Sequence, residues 1–219
     1  MTPPASGVIL AGGASRRMGR DKAFLEFEGR PLIARIADQV RLVGREVIVA
    51  GGAEPDAARY APFADRCVAD VYPDVGTLGG IHAGLQVARH DLALVVACDM
   101  PFLNPDLLAW FVAAAEGWDL VVLKHEQGVE PLHAVYRKTC LPAIEATIRS
   151  GERCAFAFYD QIRVRFVAPA EIAHLDPALS SFRNLNTPED WHAAVAQAPA
   201  PGKNGGPPAP YTGSRSLPA

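Results

Sequence analysis

Short runs of consecutive apolar residues alternate along the chain with stretches in which apolar residues recur every three or four positions. The runs at 7–11 and 92–97 are apolar at successive positions, which is typical of parallel strands that are buried on both faces. The predicted strands are 7–11, 46–50, 67–69, 92–97, 120–124, 132–136 and 163–167. The predicted helices are 31–44, 81–89, 106–115, 138–149 and 188–196.

This alternation predicts a three-layer α/β/α fold with a mainly parallel sheet. In such sheets ligands bind at the carboxyl ends of the strands, near the point where the strand order reverses. We expect one domain over 1–197, with a nucleotide-binding first half and an acceptor-binding second half. From 198 to 219 proline and glycine dominate, and a segment of that composition cannot bury enough apolar surface to fold. We therefore expect a disordered tail there.

The composition and net charge of the chain argue against one class of function, nucleic-acid binding. The chain has 219 residues, of which 49% are hydrophobic and 21% charged, and its formal net charge is −3. Lys203 and Arg215 lie in the predicted tail, so the body is more acidic than the whole chain. A net-acidic body argues against a nucleic-acid binder, whose affinity comes from neutralising phosphates. A small phosphorylated ligand stays compatible with this charge, because a few local cations and backbone amides suffice for it.

The cysteines and the lack of predicted targeting or membrane-spanning segments indicate the cellular compartment of the protein. The four cysteines are far apart and form no C-x-x-C pair, which is typical of reduced thiols in the cytoplasm. No signal peptide is predicted at the start of the chain. The longest apolar run, 92–98, is far shorter than the roughly 20 residues that a membrane span needs. We expect a cytoplasmic protein without a membrane partner.

The loop after the first predicted strand carries the densest chemistry. Residues 10–22 read L-A-G-G-A-S-R-R-M-G-R-D-K, and glycines there let backbone amides cradle phosphate oxygens. Four basic side chains add positive charge to an acidic body. The loop matches neither the P-loop nor the dinucleotide G-x-G-x-x-G pattern. A flexible charged surface loop is the alternative to phosphate binding.

Three further loops follow predicted strands or precede the last helix. Asp99 follows the buried run 92–97 and is placed to hold Mg²⁺ over a ligand, or else to cap a turn. Asp70 ends another run and is followed by the small residues 76–80, which allow a ligand to approach a helix start. Asn184 and Asn186 either face a substrate or cap the last helix.

Together these loops resemble those of the molybdenum cofactor guanylyltransferases, a branch of the nucleotidyltransferases, from Gly7 to about Trp191. The family's opening signature, L-A-G-G-x-S-x-R-M-G-x-D-K, is met by residues 10–22 at every fixed position. The C-D-x-P motif holds Asp99. The chain departs from the family pattern at Ala50, at Thr77 and at Cys154. These departures affect the expected contacts to the nucleotide base and to the pterin more than the residues expected to carry out the transfer.

The resemblance implies a Rossmann-like nucleotidyltransferase fold and the transfer of GMP from GTP to the terminal phosphate of Mo-molybdopterin. It implies Mg²⁺ as cofactor, held by Asp99, and molybdoenzymes or other cofactor-biosynthesis proteins as further partners. The implied catalytic residues are Arg16, Lys22 and Asp99. The implied nucleotide-binding residues are Leu10, Ala11, Gly12, Gly13, Gly19, Lys22, Asp70, Gly76, Leu78 and Asp99. The implied substrate-binding residues are Arg153, Asn184 and Asn186.

Two alternatives stay open. A cytidylyltransferase or sugar-phosphate nucleotidyltransferase of the same fold would differ in the nucleotide that it uses. A non-catalytic module that binds GTP and hands over the cofactor would bind without releasing pyrophosphate. A nicotinamide-dependent oxidoreductase is a weaker third, because the glycine fingerprint is missing.

Overall fold

A computed structural model describes residues 2–11, 21–51, 57–72 and 74–197. Seven strands form one sheet in the order β5-β4-β1-β6-β8-β7-β9, and β2 and β3 form a separate two-stranded ribbon. The strands are β1 Ala5–Leu10, β2 Glu26–Phe27, β3 Arg30–Pro31, β4 Val47–Ala50, β5 Arg66–Val68, β6 Leu92–Ala97, β7 Leu120–His125, β8 Gly128–Arg137 and β9 Val164–Val167. The helices are α1 Leu32–Arg41, α2 Ala57–Tyr60, α3 Thr77–Val87, α4 Pro105–Ala113, α5 Leu141–Arg149, α6 Pro169–Ile172 and α7 Pro188–Gln197.

The sheet is parallel except for β8, which runs antiparallel to both β6 and β7. The strands β1, β4, β5, β6, β7 and β9 therefore all end on the same side of the sheet, which we call the carboxyl end; the opposite side is the amino end. The chain builds outward from β1 through β4 to β5 and then returns to β6 on the other side of β1. The strand order reverses between β1 and β6, where ligands of such folds bind.

Helices cover both faces of the sheet. Alternate residues of β1 point into two separate cores, with Ile9 in one and Val8 in the other. The first core packs against α1 and α4 and the second against α3 and α5. This arrangement confirms the predicted three-layer α/β fold with a mainly parallel sheet.

The predicted elements differ from the structure in their bounds. The strand predicted at 92–97 is β6 without change, whereas the predicted helix 81–89 begins four residues earlier, at Thr77. The prediction missed this first turn because Gly79 and Gly80 disfavour helix. The strand predicted at 132–136 extends to Gly128 because its turn pairs it with β7 as a hairpin. The ribbon and the four-residue helices α2 and α6 were not predicted.

The expected tail, 198–219, lies outside the described residues. Within the described ranges, no helix has both the length and the apolar character that crossing a membrane requires. All four cysteines are free thiols.

Candidate active site

The ends of β1 and β6 are joined to a late segment of the chain at the carboxyl end of the sheet. The Cys98 amide donates to the Leu10 carbonyl at 3.0 Å, which extends the pairing of the two strands by one residue. The carbonyl of the next residue, Asp99, accepts from the Leu185 amide at 2.9 Å. The segment that carries the two asparagines is thereby fixed beside the aspartate.

The side chain of Lys22 contacts both Asp99 and the late segment. Its Nζ lies 3.3 Å from Oδ2 of Asp99 and 3.0 Å from Oδ1 of Asn186. Lys22 opens a short 3₁₀ turn whose first free amide, that of Ala23, donates to the Asp21 carboxylate at 3.1 Å. The hydroxyl of Tyr60 donates to the same carboxylate at 3.0 Å. Asp21 therefore orients the turn, and the ammonium group lies between the aspartate and the late segment.

The carboxylate of Asp99 is poorly solvated. Burial raises its pKa above the usual range, while the neighbouring Lys22 ammonium opposes that rise. The side chains of Lys22 and Asp99 are 13% and 17% exposed. A buried carboxylate with one cationic neighbour is stabilised by additional positive charge, so this position favours a bound cation.

Among the residues that the structure describes, no group of three or more His, Cys, Asp or Glu side chains could hold a metal ion. Mg²⁺ commonly takes only one or two protein carboxylates and completes its shell with phosphates and water. Asp99 fits such a site, in which the substrate supplies most of the ligands.

A cleft with a volume of ≈ 110 Å³ opens between β1 and α3 at this end of the sheet. Asp99 and Asp70 both line it, so two carboxylates from different loops face one space. Leu10, Gly76 and Thr77 complete much of its wall. The departure from the family pattern at Thr77 therefore lies in the cleft itself, and so does the one at Ala50.

Asp70 approaches the first turn of α3 closely. A Cβ added to Gly79 would lie 3.6 Å from Cγ of Asp70, and one added to Gly80 would lie 3.7 Å from its Oδ1. That Oδ1 is buried and has no hydrogen-bond partner among the described residues. Burial raises the pKa of Asp70, and His82 opposes the rise. An unpartnered buried carboxylate oxygen costs free energy, which is typical of a group kept for a ligand.

The two late asparagines do not have the same contacts. The start of α7 is capped by a reciprocal pair, in which the Asp190 amide donates to Oγ1 of Thr187 and the Thr187 amide donates to Oδ2 of Asp190. Asn186 contributes only its backbone amide to that cap, at 3.0 Å, and its side chain accepts from Lys22. Oδ1 of Asn184 is buried without a hydrogen-bond partner in the described part of the chain.

The other predicted site residues are dispersed. The Ala11 amide donates to the Ala50 carbonyl at 2.8 Å, and Leu78 is fully buried in the core between the sheet and α3. Arg153 has an exposed side chain in the loop that follows α5. Four predicted loop residues lie outside the described ranges, namely Gly12, Gly13, Arg16 and Gly19.

A larger groove of ≈ 790 Å³ lies farther along the carboxyl end. Lys124 and His125 at the end of β7 line it together with Phe182 and Arg183 from the late segment. The guanidinium of Arg183 lies 5.5 Å from the centre of the Phe102 ring. Sequence reasoning missed these residues, although β7 was predicted and its carboxyl end is where such folds bind ligands.

The fold and the site together indicate the class of protein to which the chain belongs. A doubly wound sheet whose order reverses beside a lysine-paired aspartate, with a second carboxylate across the cleft, is typical of α/β proteins that bind phosphorylated ligands at the carboxyl end. The model of one family, the MobA-like NTP transferase domain, matches residues 7–164. The chain belongs to this family of MobA-like nucleotidyltransferases, and it is a nucleotidyltransferase of molybdenum cofactor biosynthesis.

Individual relatives agree with that assignment. The chain is 42% identical over 194 residues to the "Probable molybdenum cofactor guanylyltransferase" of Pelotomaculum thermopropionicum, an alignment that covers 89% of this chain and 93% of the relative. Other curated relatives carry the name molybdenum cofactor guanylyltransferase. The confirmed family membership is the one that the sequence motifs indicated.

Solved structures extend the comparison to the fold. The molybdopterin-guanine dinucleotide biosynthesis protein A of Archaeoglobus fulgidus superposes with a TM-score of 0.77 at 27% identity, covering 87% of this chain and 97% of that one. A manganese complex of Rv0371C from Mycobacterium tuberculosis has a TM-score of 0.60 at 16% identity and covers 90% of this chain and 100% of that one. The second likeness concerns the fold alone.

Proposed function

We propose that the protein transfers GMP from GTP to the terminal phosphate of Mo-molybdopterin and releases pyrophosphate. The product is the guanine dinucleotide form of the cofactor. The observation that carries this proposal is the position of the Lys22 ammonium, 3.3 Å from Asp99 and 3.0 Å from Asn186. One cation thereby touches a carboxylate of the nucleotide cleft and an amide of the segment that leads toward the larger groove.

The reaction requires little proton transfer. An oxygen of the acceptor phosphate, already anionic, attacks the α-phosphorus of GTP, and the bond from that phosphorus to the bridging oxygen of the β-phosphate breaks. The bridging oxygen leaves with pyrophosphate and carries the electron pair. Catalysis then consists of positioning and charge neutralisation. Lys22 supplies positive charge to the departing phosphates, and in this proposal Arg16, Gly12, Gly13 and Gly19 hold them from the first loop.

Asp99 is the residue that would hold Mg²⁺, which supplies charge neutralisation at the α-phosphate when it is bound. The buried, raised-pKa carboxylate of Asp99 supports this assignment, because a cation relieves its desolvation. The Lys22 ammonium also donates a hydrogen bond to the Asn186 side chain, at 3.0 Å. Asp70 faces the same cleft and would contact the nucleotide.

The acceptor would lie toward the larger groove. Asn184 has a buried oxygen with no hydrogen-bond partner among the described residues, and its chain neighbour Arg183 lines that groove. Lys124 adds a second cation there, and cations suit an acceptor whose reacting group is a phosphate. Arg153 would extend the acceptor site from the loop after α5. The free thiols fit the cytoplasm as the place of the reaction.

Measuring pyrophosphate release with each nucleoside triphosphate, with and without Mo-molybdopterin, tests this proposal. We expect release with GTP only when the acceptor is present. Release with CTP in place of GTP would assign the chain to the cytidylyl branch. Tight GTP binding without release under any condition would identify a binding module and contradict the proposal.

A further inference from the structure

The larger groove at the carboxyl end has a wall of mixed charge. Lys124 and Arg183 line it together with two carboxylates, those of Glu126 and Glu130. A ligand that carried only negative charge would be attracted by the two cations and repelled by the two carboxylates. Because an ionised carboxylate can only accept hydrogen bonds, the wall suits a ligand that combines an anionic group with a group rich in N–H donors.

The carboxylate of Glu130 is held in place by a histidine of the same hairpin. Its Oε1 lies 2.8 Å from Nε2 of His125, and the Gln127 amide donates to Nδ1 of that ring at 3.1 Å. Because a backbone amide can only donate, Nδ1 is the acceptor, so Nε2 carries the ring proton and donates to Glu130. The turn between β7 and β8 thereby fixes one carboxylate at the groove.

The second oxygen of Glu130 has no such partner. Its carboxylate forms no hydrogen bond to any described residue other than His125, and its side chain is 24% exposed. Glu126, in the turn of the same hairpin, is exposed and forms no hydrogen bond within the described part of the chain. A carboxylate that is oriented through one oxygen can accept two parallel N–H donors from a ligand, so Glu130 is the better placed of the two.

An aromatic ring lines the groove near these charges. The ring of Phe182 lies 4.2 Å from that of His133 and 6.2 Å from that of Phe111, measured between ring centres. Both supporting rings are fully buried. Phe182 is therefore packed firmly against the core, and an aromatic side chain in a groove suits a planar ring system.

Strand β8 places the groove beside the nucleotide cleft. Leu132 lines the cleft, and Glu130, two positions earlier on the same strand, lines the groove. Residues two positions apart in a strand point to the same face. In the antiparallel pairing of β6 with β8, Val96 lies opposite His133. Asp99 and Glu130 are each three positions from that pair, toward the carboxyl end, so a ligand at Glu130 is one strand away from the proposed metal site.

We propose that Glu130, oriented by His125, binds the pterin ring of the acceptor and determines the choice of that ring. A pterin carries an amino group next to a ring N–H, and these two donors point in the same direction, as parallel donors to one carboxylate must. Phe182 contacts the planar ring system, while Lys124 and Arg183 attract the negative charge of the acceptor. This inference rests on the proposed function, because it takes the acceptor to be a molybdopterin.

The guanine base of GTP presents the same pair of donors. A carboxylate in the groove could therefore bind either ring, and the two sources must be distinguished by experiment. The position of Glu130 outside the nucleotide cleft favours the pterin, because the residues that line the cleft do not include it.

Two variants of the hairpin test the role of Glu130. Glu130→Gln keeps the size of the side chain and an oxygen that can accept from His125, but it replaces one acceptor oxygen with a donor. Glu126→Gln removes the same charge from the turn of the same hairpin and is the matched control. Melting curves of both variants should coincide with that of the wild type, since neither substitution touches the buried core.

The first measurement is a fluorescence titration of each protein with free pterin and with lumazine, which has an oxygen in place of the amino group. We expect the wild type and Glu126→Gln to prefer pterin. Glu130→Gln should bind pterin at least about tenfold more weakly, as for other lost hydrogen bonds to a charged group, and should lose the preference. A preference that persists in Glu130→Gln, an equal loss in Glu126→Gln, or no preference in the wild type would overturn the inference.

The second measurement separates the two rings and the two proposals. GTP affinity by calorimetry should be the same in Glu130→Gln and the wild type, whereas KM for Mo-molybdopterin should rise in the variant with little change in kcat. Weaker GTP binding with unaltered pterin binding would assign Glu130 to guanine and overturn the inference. Pterin binding that depends on Glu130 in a protein that releases no pyrophosphate from GTP would support the ring site and overturn the proposed reaction instead.

Discussion

At the amino end of the sheet, Asp119 accepts hydrogen bonds from Thr139 and from the backbone and side chain of Arg163, at 2.7–3.0 Å. At the carboxyl end, Asp70 has a buried oxygen that accepts no hydrogen bond from the residues that the structure describes. The hydrogen bonds from Arg163 and Thr139 hold the pKa of Asp119 well below its usual range, and burial raises the pKa of Asp70. One end of the sheet uses carboxylates to stabilise the fold, and at the other end the proposed reaction uses them to hold a ligand.

A second pair of carboxylates repeats the contrast. Glu46 at the amino end is desolvated, but hydrogen bonds from Ser6 and the Arg89 amide, together with the charges of Arg66 and Arg89, lower its pKa overall. At Asp99, at the carboxyl end, burial outweighs the Lys22 ammonium and a backbone hydrogen bond, which both oppose it, and the pKa stays raised. Removing a charge should therefore have opposite effects at the two ends.

The largest expected effect is on turnover. Asp99→Asn keeps the size of the side chain and removes the charge that would face Mg²⁺ and the α-phosphate. We expect turnover to fall about 100-fold or more, as for other groups that stabilise charge in a transition state, while the fold persists. The matched variant Asp119→Asn should keep near wild-type turnover at a temperature where it is folded. Equal losses in both variants would contradict the division between the two ends.

Stability should show the reverse pattern. Asp119→Asn loses charge-assisted hydrogen bonds, which we expect to cost about 1–2 kcal/mol at pH 7 because the Arg163 side chain is largely exposed. Because the pKa of Asp119 is lowered in the folded state, its contribution exists above the ordinary carboxylate pKa and is lost as the pH falls through the folded value. The deficit of the variant, measured by urea denaturation, should therefore shrink in acid.

Asp70→Asn should change stability with the opposite sign. Because the folded pKa of Asp70 is raised, the ionised group destabilises the fold above that value, and the penalty disappears as the pH falls through it. We expect the melting temperature at pH 7 to rise by no more than about 2 °C, because Asp70 is only partly buried and solvent screens part of the penalty. The gain should vanish in acid. A lower melting temperature at pH 7 would show that Asp70 has a stabilising partner.

A smaller effect is expected within the late segment, where neighbouring residues have different contacts. Asn186→Ala removes a hydrogen bond to Lys22 worth about 0.5–1.5 kcal/mol, so turnover with the acceptor should fall up to about tenfold while GTP affinity and melting stay close to the wild type. Thr187→Ala removes a helix cap and should cost about 1 kcal/mol of stability with little change in turnover. If Asn186→Ala instead lowered stability with unchanged turnover, and Thr187→Ala lowered turnover with unchanged stability, Asn186 would belong to the helix cap.

The smallest effect is expected from the end of the chain. Truncation after Ala198 should leave the melting temperature and GTP affinity unchanged, because the sequence beyond it has no periodic apolar face. Differential scanning calorimetry of the full and truncated chains measures this. A loss of several degrees would reveal a docked segment.

The two ends also differ in how far sequence predicts them. Asp99 and Lys22 were identifiable because each lies in a loop whose pattern carries chemistry, and β6 was identifiable from its uninterrupted apolar run. The contact between Lys22 and Asn186 spans 164 positions, and the one between His82 and Glu145 spans 63. Such pairs follow from how α3, α5 and the late segment pack, and no local pattern encodes that packing. The glycines at the start of α3 illustrate the same limit, since tertiary approach to Asp70 outweighs their low helix propensity.

The reaction proposed for the carboxyl end of the sheet is the transfer of a nucleotidyl group. Following GTP labelled at the α-phosphorus in the presence of Mo-molybdopterin tests it most directly, with Asp99→Asn alongside. We expect the label to appear in the acceptor product in the wild type, at a rate about 100-fold lower in the variant. Label that stays in GTP while GTP is bound, or equal transfer by both proteins, would contradict the account.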